Sequence, residues 1–103
     1  MNIPNISQEE INAQLNKGTA FQKLVWNQLL KIPIGETKTY ADIANQIGKP
    51  KGVRAVASAI AANTLFYQIP CHRVIKSNGD TGKYRWGNEL KKELLKYELT
   101  KRA

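Results

Sequence analysis

Thr39-Tyr40-Ala41-Asp42-Ile43-Ala44-Asn45-Gln46-Ile47-Gly48-Lys49-Pro50-Lys51-Gly52-Val53-Arg54-Ala55-Val56-Ala57-Ser58-Ala59-Ile60-Ala61-Ala62 is the stretch that decides the fold. Thr39 can cap a helix carrying Ile43, Ala44 and Ile47, and Gly48 closes it. Pro50 then sits near the first turn of a second helix, where its missing N–H costs nothing. In that helix Val53, Val56, Ala57 and Ile60 fall at i, i+3, i+4 and i+7, which predicts a buried face. The other face shows Lys51, Arg54, Ala55, Ser58 and Ala62, and Ala59 and Ala61 add to its small side chains. Two short helices joined by a Gly-Lys-Pro turn predict a helix-turn-helix over about 39–62.

Working outward, Ser7-Gln8-Glu9-Glu10 reads as a capping box opening a short helix with Ile11 and Leu15, stopped by Gly18. Thr19-Ala20-Phe21-Gln22 is a second capping box. The helix behind it puts Phe21, Leu24, Val25 and Leu29 on one stripe with Trp26 beside them, and Pro33 and Gly35 end it. Downstream of Pro70, Arg73-Val74-Ile75-Lys76 predicts a short strand, Ser77-Asn78-Gly79-Asp80 a turn, and the chain up to Trp86 a second strand. Asn88 is placed to cap a last helix, 88–100, with Leu90, Leu94 and Tyr97 inward. The expected fold is mostly α with a small β-hairpin wing over 73–86, a winged helix-turn-helix. Residues 1–18 form a lead segment and 19–103 one domain.

Composition narrows the function. With 103 residues and 42% apolar side chains the chain is globular and at most one domain. One cysteine cannot form a disulfide within the chain, and one Cys with one His cannot fill a tetrahedral zinc site, so no metal and no cofactor are expected. No apolar run approaches the roughly 20 residues that cross a bilayer, so no membrane role is expected. Met1-Asn2-Ile3-Pro4-Asn5 lacks the basic and apolar blocks of a signal peptide. The expected location is the cytosol, or the nucleus in a cell that has one, with a reduced thiol. Net charge is +8, and 71–103 holds nine bases against four acids. Such a field attracts polyanions, DNA foremost, although a basic soluble protein with no special partner has the same balance.

The segment Ile69-Pro70-Cys71-His72-Arg73-Val74 carries the chemistry. A lone cysteine is more often a small buried hydrophobe than a nucleophile. Here the only histidine is the next residue, and Arg73 adds positive charge that favours a thiolate. Extended neighbours point opposite ways, so Cys71 and His72 cooperate only if the chain bends, or through a water. Glu98, at the flank of the last helix's apolar stripe, is the candidate to orient the imidazole. The alternative is an exposed Glu98 paired with Lys91, Lys101 or Arg102. The small-residue helix face can approach DNA closely without reading sequence, with Arg54 as a wedge and Lys38, Lys49 and Lys51 at phosphates. The same alanines also suit helix propensity and close packing.

The thiol hexapeptide resembles the active-site motif of the O6-alkylguanine-DNA alkyltransferases. Phe21-Gln22 through Trp26, Ile32-Pro33, Gly35-Glu36-Thr37, Thr39-Tyr40 and Gly48-Lys49-Pro50-Lys51 fall where that family has them. So do Val53-Arg54-Ala55-Val56, Ala61-Ala62-Asn63, Gly82, Leu94-Leu95 and Glu98, and Tyr84-Arg85-Trp86-Gly87 is the form of its Ada-type members. The likeness spans 19–98. It implies single-turnover transfer of an alkyl group from O6-alkylguanine, and O4-alkylthymine, in double-stranded DNA to Cys71 after base flipping. Binding would be largely without sequence preference, by a monomer.

By the same likeness His72 takes the thiol proton through a water, Glu98 holds the imidazole and Asn63 fixes the thiol turn. Tyr40 presses on the 3′ phosphate and donates to guanine N3, and Arg54 replaces the flipped base. The carbonyls of Cys71 and Val74 accept from the guanine amino group. Tyr84, Arg85 and Trp86 line the pocket, with the Arg85 amide aimed at O6 and Ile60 in the wall, while Lys51, Ala55 and Ser58 face DNA. Full-length members carry an N-terminal lobe whose sequence is missing here. Two other readings stay open: a lesion-binding protein that flags damage and transfers nothing, which in the family lacks the cysteine, and a helix-turn-helix regulator with a preferred sequence.

Overall fold

Trp26 organises the core. It is buried, and its indole N–H donates to the Ala59 carbonyl at 2.8 Å. The computed structural model describes residues 3–101, so the first two residues of the lead segment and the last two of the domain lie outside it. The elements are α1 (Gln8–Lys17), α2 (Ala20–Leu30), β1 (Lys38–Thr39), α3 (Tyr40–Gln46), α4 (Val53–Ala61), β2 (Val74–Ile75) and α5 (Asn88–Leu99). A single 3-10 turn, Cys71–Arg73, precedes β2. The fold is mostly helical, and α3 and α4 pack as the expected helix-turn-helix.

Val25, Leu29, Ile43, Val56, Ile69, Val74 and Leu94 are fully buried. Each contributes roughly 1.5–3 kcal/mol by leaving water. Thr19 with Gln22 and Thr39 with Asp42 form complete capping boxes. At α1 only half the box forms. Ser7 Oγ accepts from the Glu10 N–H, but the Ser7 N–H donates to Gln68 Oε1 at 2.6 Å, and Gln68 Nε2 donates to Glu10 at 2.9 Å. That exchange ties α1 to the segment leading into the thiol turn. Gly18 lets the chain pass Trp26, since a Cβ there would stand 2.6 Å from the indole Cζ3. Gly18→Ala is expected to cost about 1–3 kcal/mol by overpacking. Urea denaturation reads this, and an unchanged midpoint would mean the indole moves freely.

Several sequence expectations are corrected. The predicted hairpin over 73–86 does not form. The strand after the thiol turn pairs in parallel with β1, Lys38 opposite Val74 and Thr39 opposite Ile75. The turn itself closes, Lys76 N–H to the Asp80 carbonyl at 2.8 Å. Beyond it Gly82 (φ +75°) and Gly87 (φ +100°) take left-handed conformations that stop an extended return strand. Helix α5 starts from Gly87 and not from an Asn88 cap, and Pro50 lies in the turn before α4.

Leu24 is half exposed, because Trp26 takes the contact with α4 and turns the buried stripe to Val25, Trp26 and Leu29. In α4 the buried set is Val56, Ala59 and Ile60. Ala59 faces in, under Trp26, while Val53 is exposed toward the cavity described below. In α5 the buried stripe is Lys91, Leu94 and Glu98, one position round from the expected one. Among the described residues no helix is long and apolar enough to cross a membrane.

Candidate active site

The parallel β1–β2 pair joins two segments far apart in sequence. It sets the exit of the thiol turn beside the start of α3, which carries Tyr40. The bend needed at Cys71 is a 3-10 turn. The Arg73 N–H donates to the Pro70 carbonyl at 3.0 Å, and the Val74 N–H donates to the Cys71 carbonyl.

Asn63, fully buried, grips this turn. Its Nδ2 donates to Leu65 O at 3.2 Å, Ile69 O at 3.4 Å and Cys71 Sγ at 3.5 Å, and its Oδ1 accepts from the Leu65 N–H at 3.0 Å. His72 is fully buried, with Nε2 2.8 Å from Glu98 Oε2. Its ring stacks on Tyr67 at 5.0 Å and 14°. Tyr67 holds φ +64°, a left-handed conformation that costs an L-residue about 1–2 kcal/mol.

The expected partner of the imidazole is therefore the one the fold supplies. Of the alternative partners for Glu98, Lys91 donates to the Val74 carbonyl at 2.6 Å, Lys101 sits over the Tyr97 ring, and Arg102 lies outside the described residues.

Electrostatics at the sulfur differ from the sequence expectation. Burial pushes the Cys71 thiol above its ordinary value. The Asn63 hydrogen bond and the charges of Lys91 and Arg85 pull it down without overcoming burial. Arg73 is not among these groups, because its guanidinium is taken up by Glu98 and the Ile32 carbonyl. The positive charge expected from Arg73 thus comes from Lys91 on α5 and from Arg85. Lys91 is fully buried, and burial lowers its ammonium to about 8 against the pull of Cys71. Burial raises the Glu98 carboxyl, but hydrogen bonds from Arg73 and His72 outweigh it and hold the group at about 2. Burial lowers His72 against the pull of Glu98. Among the described residues two buried polar atoms, His72 Nδ1 and Tyr84 Oη, have no hydrogen-bond partner.

Cys71 lines a cavity of about 940 Å³, with Tyr40, Arg54, Ile60, Tyr84 and Arg85 among its walls. A family model described as "6-O-methylguanine DNA methyltransferase, DNA binding domain" matches residues 20–100.

This chain belongs to the 6-O-methylguanine DNA methyltransferase family.

It is 57% identical over 82 residues to the bifunctional transcriptional activator/DNA repair enzyme Ada of Escherichia coli, covering 80% of this chain and 23% of that protein. It is 56% identical over 86 residues to the inducible methylated-DNA–protein-cysteine methyltransferase of Bacillus subtilis, covering 84% and 47%. A structure of Mycobacterium tuberculosis OGT in complex with DNA superposes with a TM-score of 0.79 at 46% identity, covering 81% of this chain and 52% of that one. The chain thus spans from a quarter to about half the length of these relatives.

Within the matched region, residues 20–100, the sequence candidates divide. Cys71, His72, Glu98 and Asn63 come together, and Tyr40, Ile60, Tyr84, Arg85 and Arg54 share the cavity. Arg85 also donates to the Ala61 carbonyl at 3.1 Å. Lys51, Ala55 and Ser58 are exposed in the turn before α4 and along it.

Two of the residues expected in the pocket fall outside the cavity walls. Trp86 packs edge-on against Phe66 at 5.2 Å and lies 5.3 Å from the Tyr84 ring. The Val74 side chain is in the core, and its carbonyl holds Lys91. Sequence reasoning missed Lys91, although the spacing of Lys91, Leu94 and Glu98 on one helix face was there to find. Gly82, read from the sequence only as a motif position, closes on Tyr40, where a Cβ would stand 3.0 Å from Tyr40 Oη. Among the described residues no group of three or more His, Cys, Asp or Glu side chains could hold a metal ion.

Proposed function

We propose that this protein repairs DNA by moving the alkyl group of O6-alkylguanine, and of O4-alkylthymine, onto Cys71, once per molecule. The observation that carries this reading is a shared cavity. Cys71 and Arg54 line one opening, and the imidazole–carboxylate pair begins at the very next residue. A thiol cannot reach a base inside a duplex, so the nucleotide must swing out, at a cost of a few kcal/mol. Arg54 on α4 offsets part of that cost by filling the gap in the stack.

In the transfer, His72 takes the Cys71 proton at Nδ1 through a water. The thiolate attacks the alkyl carbon in line with O6. The S–C bond forms, the C–O6 bond breaks, and guanine leaves with the electron pair. Donors at guanine N3 (Tyr40 hydroxyl) and O6 (Arg85 amide) stabilise the departing anion. The proton that left the thiol ends on guanine, so atoms balance without a cofactor. No side chain in the cavity can cleave the resulting thioether. The small residues of α4, Ala55 and Ser58, meet DNA without reading bases, with Lys51 at a phosphate, which suits lesions that occur in any sequence. The partner is double-stranded DNA, bound by a monomer.

The test is a mass measurement after incubation with an oligonucleotide containing O6-methylguanine. A gain of one methylene on the Cys71 peptide is expected. Tight lesion binding with no gain would instead make the protein a damage marker. Arg54→Ala is expected to slow transfer about tenfold on paired duplex and far less on single strands, where nothing needs flipping. Equal losses on both substrates would remove Arg54 from the flipping step.

A further inference from the structure

Both oxygens of Glu98 are held by one neighbour. Arg73 Nε donates to Oε1 at 2.8 Å and its NH2 nitrogen to Oε2 at 2.7 Å, a two-pronged grip on the carboxylate. Its remaining nitrogen donates to the Ile32 carbonyl at 2.7 Å, beyond the end of α2. The grip is nearly dry: the Arg73 side chain is 11% exposed and that of Glu98 1%. Oε2 also meets His72 Nε2. An ionised carboxylate can only accept, so Nε2 carries the hydrogen and Nδ1 is the bare nitrogen. Among the described residues Nδ1 is also the ring atom left without a partner. A protonated Glu98 would reverse this. It would become a donor to Nε2, and the hydrogen would sit on Nδ1, where it blocks uptake of a second proton.

We propose that Arg73 is a positioning residue for the transfer, which by gripping both oxygens of Glu98 keeps that carboxylate an acceptor and so locks His72 in the Nε2–H form with Nδ1 open to the Cys71 proton. The proposal rests on the alkyl-transfer reading of the site. It differs from the simpler idea that Arg73 feeds positive charge to the thiol.

The charge balance around His72 supports it. Facing the ring are Glu98 and Lys91 from α5, Arg73 from its own turn, Tyr67 from the preceding loop and Tyr84 from the following one. Glu98 draws a proton toward the imidazole, while Arg73 and Lys91 oppose it. Removing Arg73 leaves a dry carboxylate without the two hydrogen bonds it receives from the guanidinium. The His72–Glu98 pair then takes up a proton at higher pH, on one member or the other. Either way the bare Nδ1 is lost over a range where the intact site keeps it. Lysine cannot replace arginine fully, because one ammonium does not span two oxygens and a carbonyl in the same plane.

His72 is the only histidine, so nitrogen NMR of histidine-labelled protein reads a single ring. The intact protein is expected to show the Nε2–H tautomer, with proton uptake below the ordinary imidazole range. Arg73→Met is expected to move that uptake to higher pH, and Arg73→Lys to move it less far in the same direction. Methyl transfer should follow. The ratio of its rate at pH 6 to that at pH 8 should fall on the order of tenfold in Arg73→Met relative to the parent. A merely structural role would scale both rates alike.

An Nδ1–H tautomer in the intact protein would overturn the proposal. So would an unchanged titration in Arg73→Lys, which decides the matter if Arg73→Met does not fold. An intact protein that shows the expected tautomer and shift but transfers no methyl would leave the lock standing and overturn the alkyl-transfer reading instead.

Discussion

Cys71→Ala is expected to abolish methyl transfer while lesion binding survives. Transfer needs a sulfur lone pair, and the alanine methyl supplies none, so the loss is total within detection and not a matter of degree. Binding is built from other groups. Arg54, Tyr40 and Tyr84 line the same cavity and are untouched, and Asn63 keeps its bonds to Leu65 and Ile69 when its contact to sulfur goes. The shape of the turn is held by backbone bonds from Arg73 to Pro70 and from Val74 to Cys71, which alanine retains. Gel-shift titration on an O6-methylguanine duplex, paired with the mass assay, separates the two outcomes. Loss of both binding and transfer would show that the sulfur holds the turn together.

The second large effect is on stability. Glu98→Gln is expected to destabilise the fold by about 3 kcal/mol, at the low end of breaking a buried charge pair because one amide oxygen can still accept. The remaining guanidinium of Arg73 is left nearly dry without a counter-charge. For a domain of this size each kcal/mol is worth roughly 4–8 °C, so Tm should fall by about 12 °C or more. Transfer should fall by about 10²–10⁴, the usual share of a positioned general base, as the imidazole loses the ionised acceptor that orients it.

The pH dependence has a definite sign. The folded carboxyl is held at about 2, below the 4.5 expected of a free side chain. Glu98 therefore contributes stability that is whole above about pH 4.5 and drains away as pH falls toward about 2. His72, lowered by burial, adds an earlier loss: the unfolded imidazole takes its proton near pH 6.5 before the folded one does. Glu98→Gln should flatten the lower window and deepen the upper one, because Glu98 no longer draws a proton toward the imidazole. Thermal melts from pH 7 to 3 read both, and an unflattened acid limb would mean the acid loss has another origin.

What the sequence by itself determined is local. Thr19 with Gln22 and Thr39 with Asp42 cap their helices because a hydroxyl and an acceptor three residues later satisfy each other's backbone donors without help from the rest of the chain. Gly48 and the helix pair around it follow from the same short-range rules.

The partners of the polar side chains were decided by the tertiary structure. The strand at Val74 could choose between a return strand and Lys38–Thr39, 36 positions upstream, and only the packed fold shows the second. Helix α5 could turn either of two adjacent stripes inward. The choice of Lys91, Leu94 and Glu98 buries two charges, which periodicity alone disfavours. It is made acceptable by acceptors and donors on other segments: the Val74 carbonyl for Lys91, and His72 with Arg73 for Glu98. Arg73 itself reads in sequence as a charge beside a thiol, and in space as a clamp on a carboxylate 25 residues away. Capping and periodicity act within one or two turns of chain, whereas a buried charge is tolerated only when the whole fold delivers its partner.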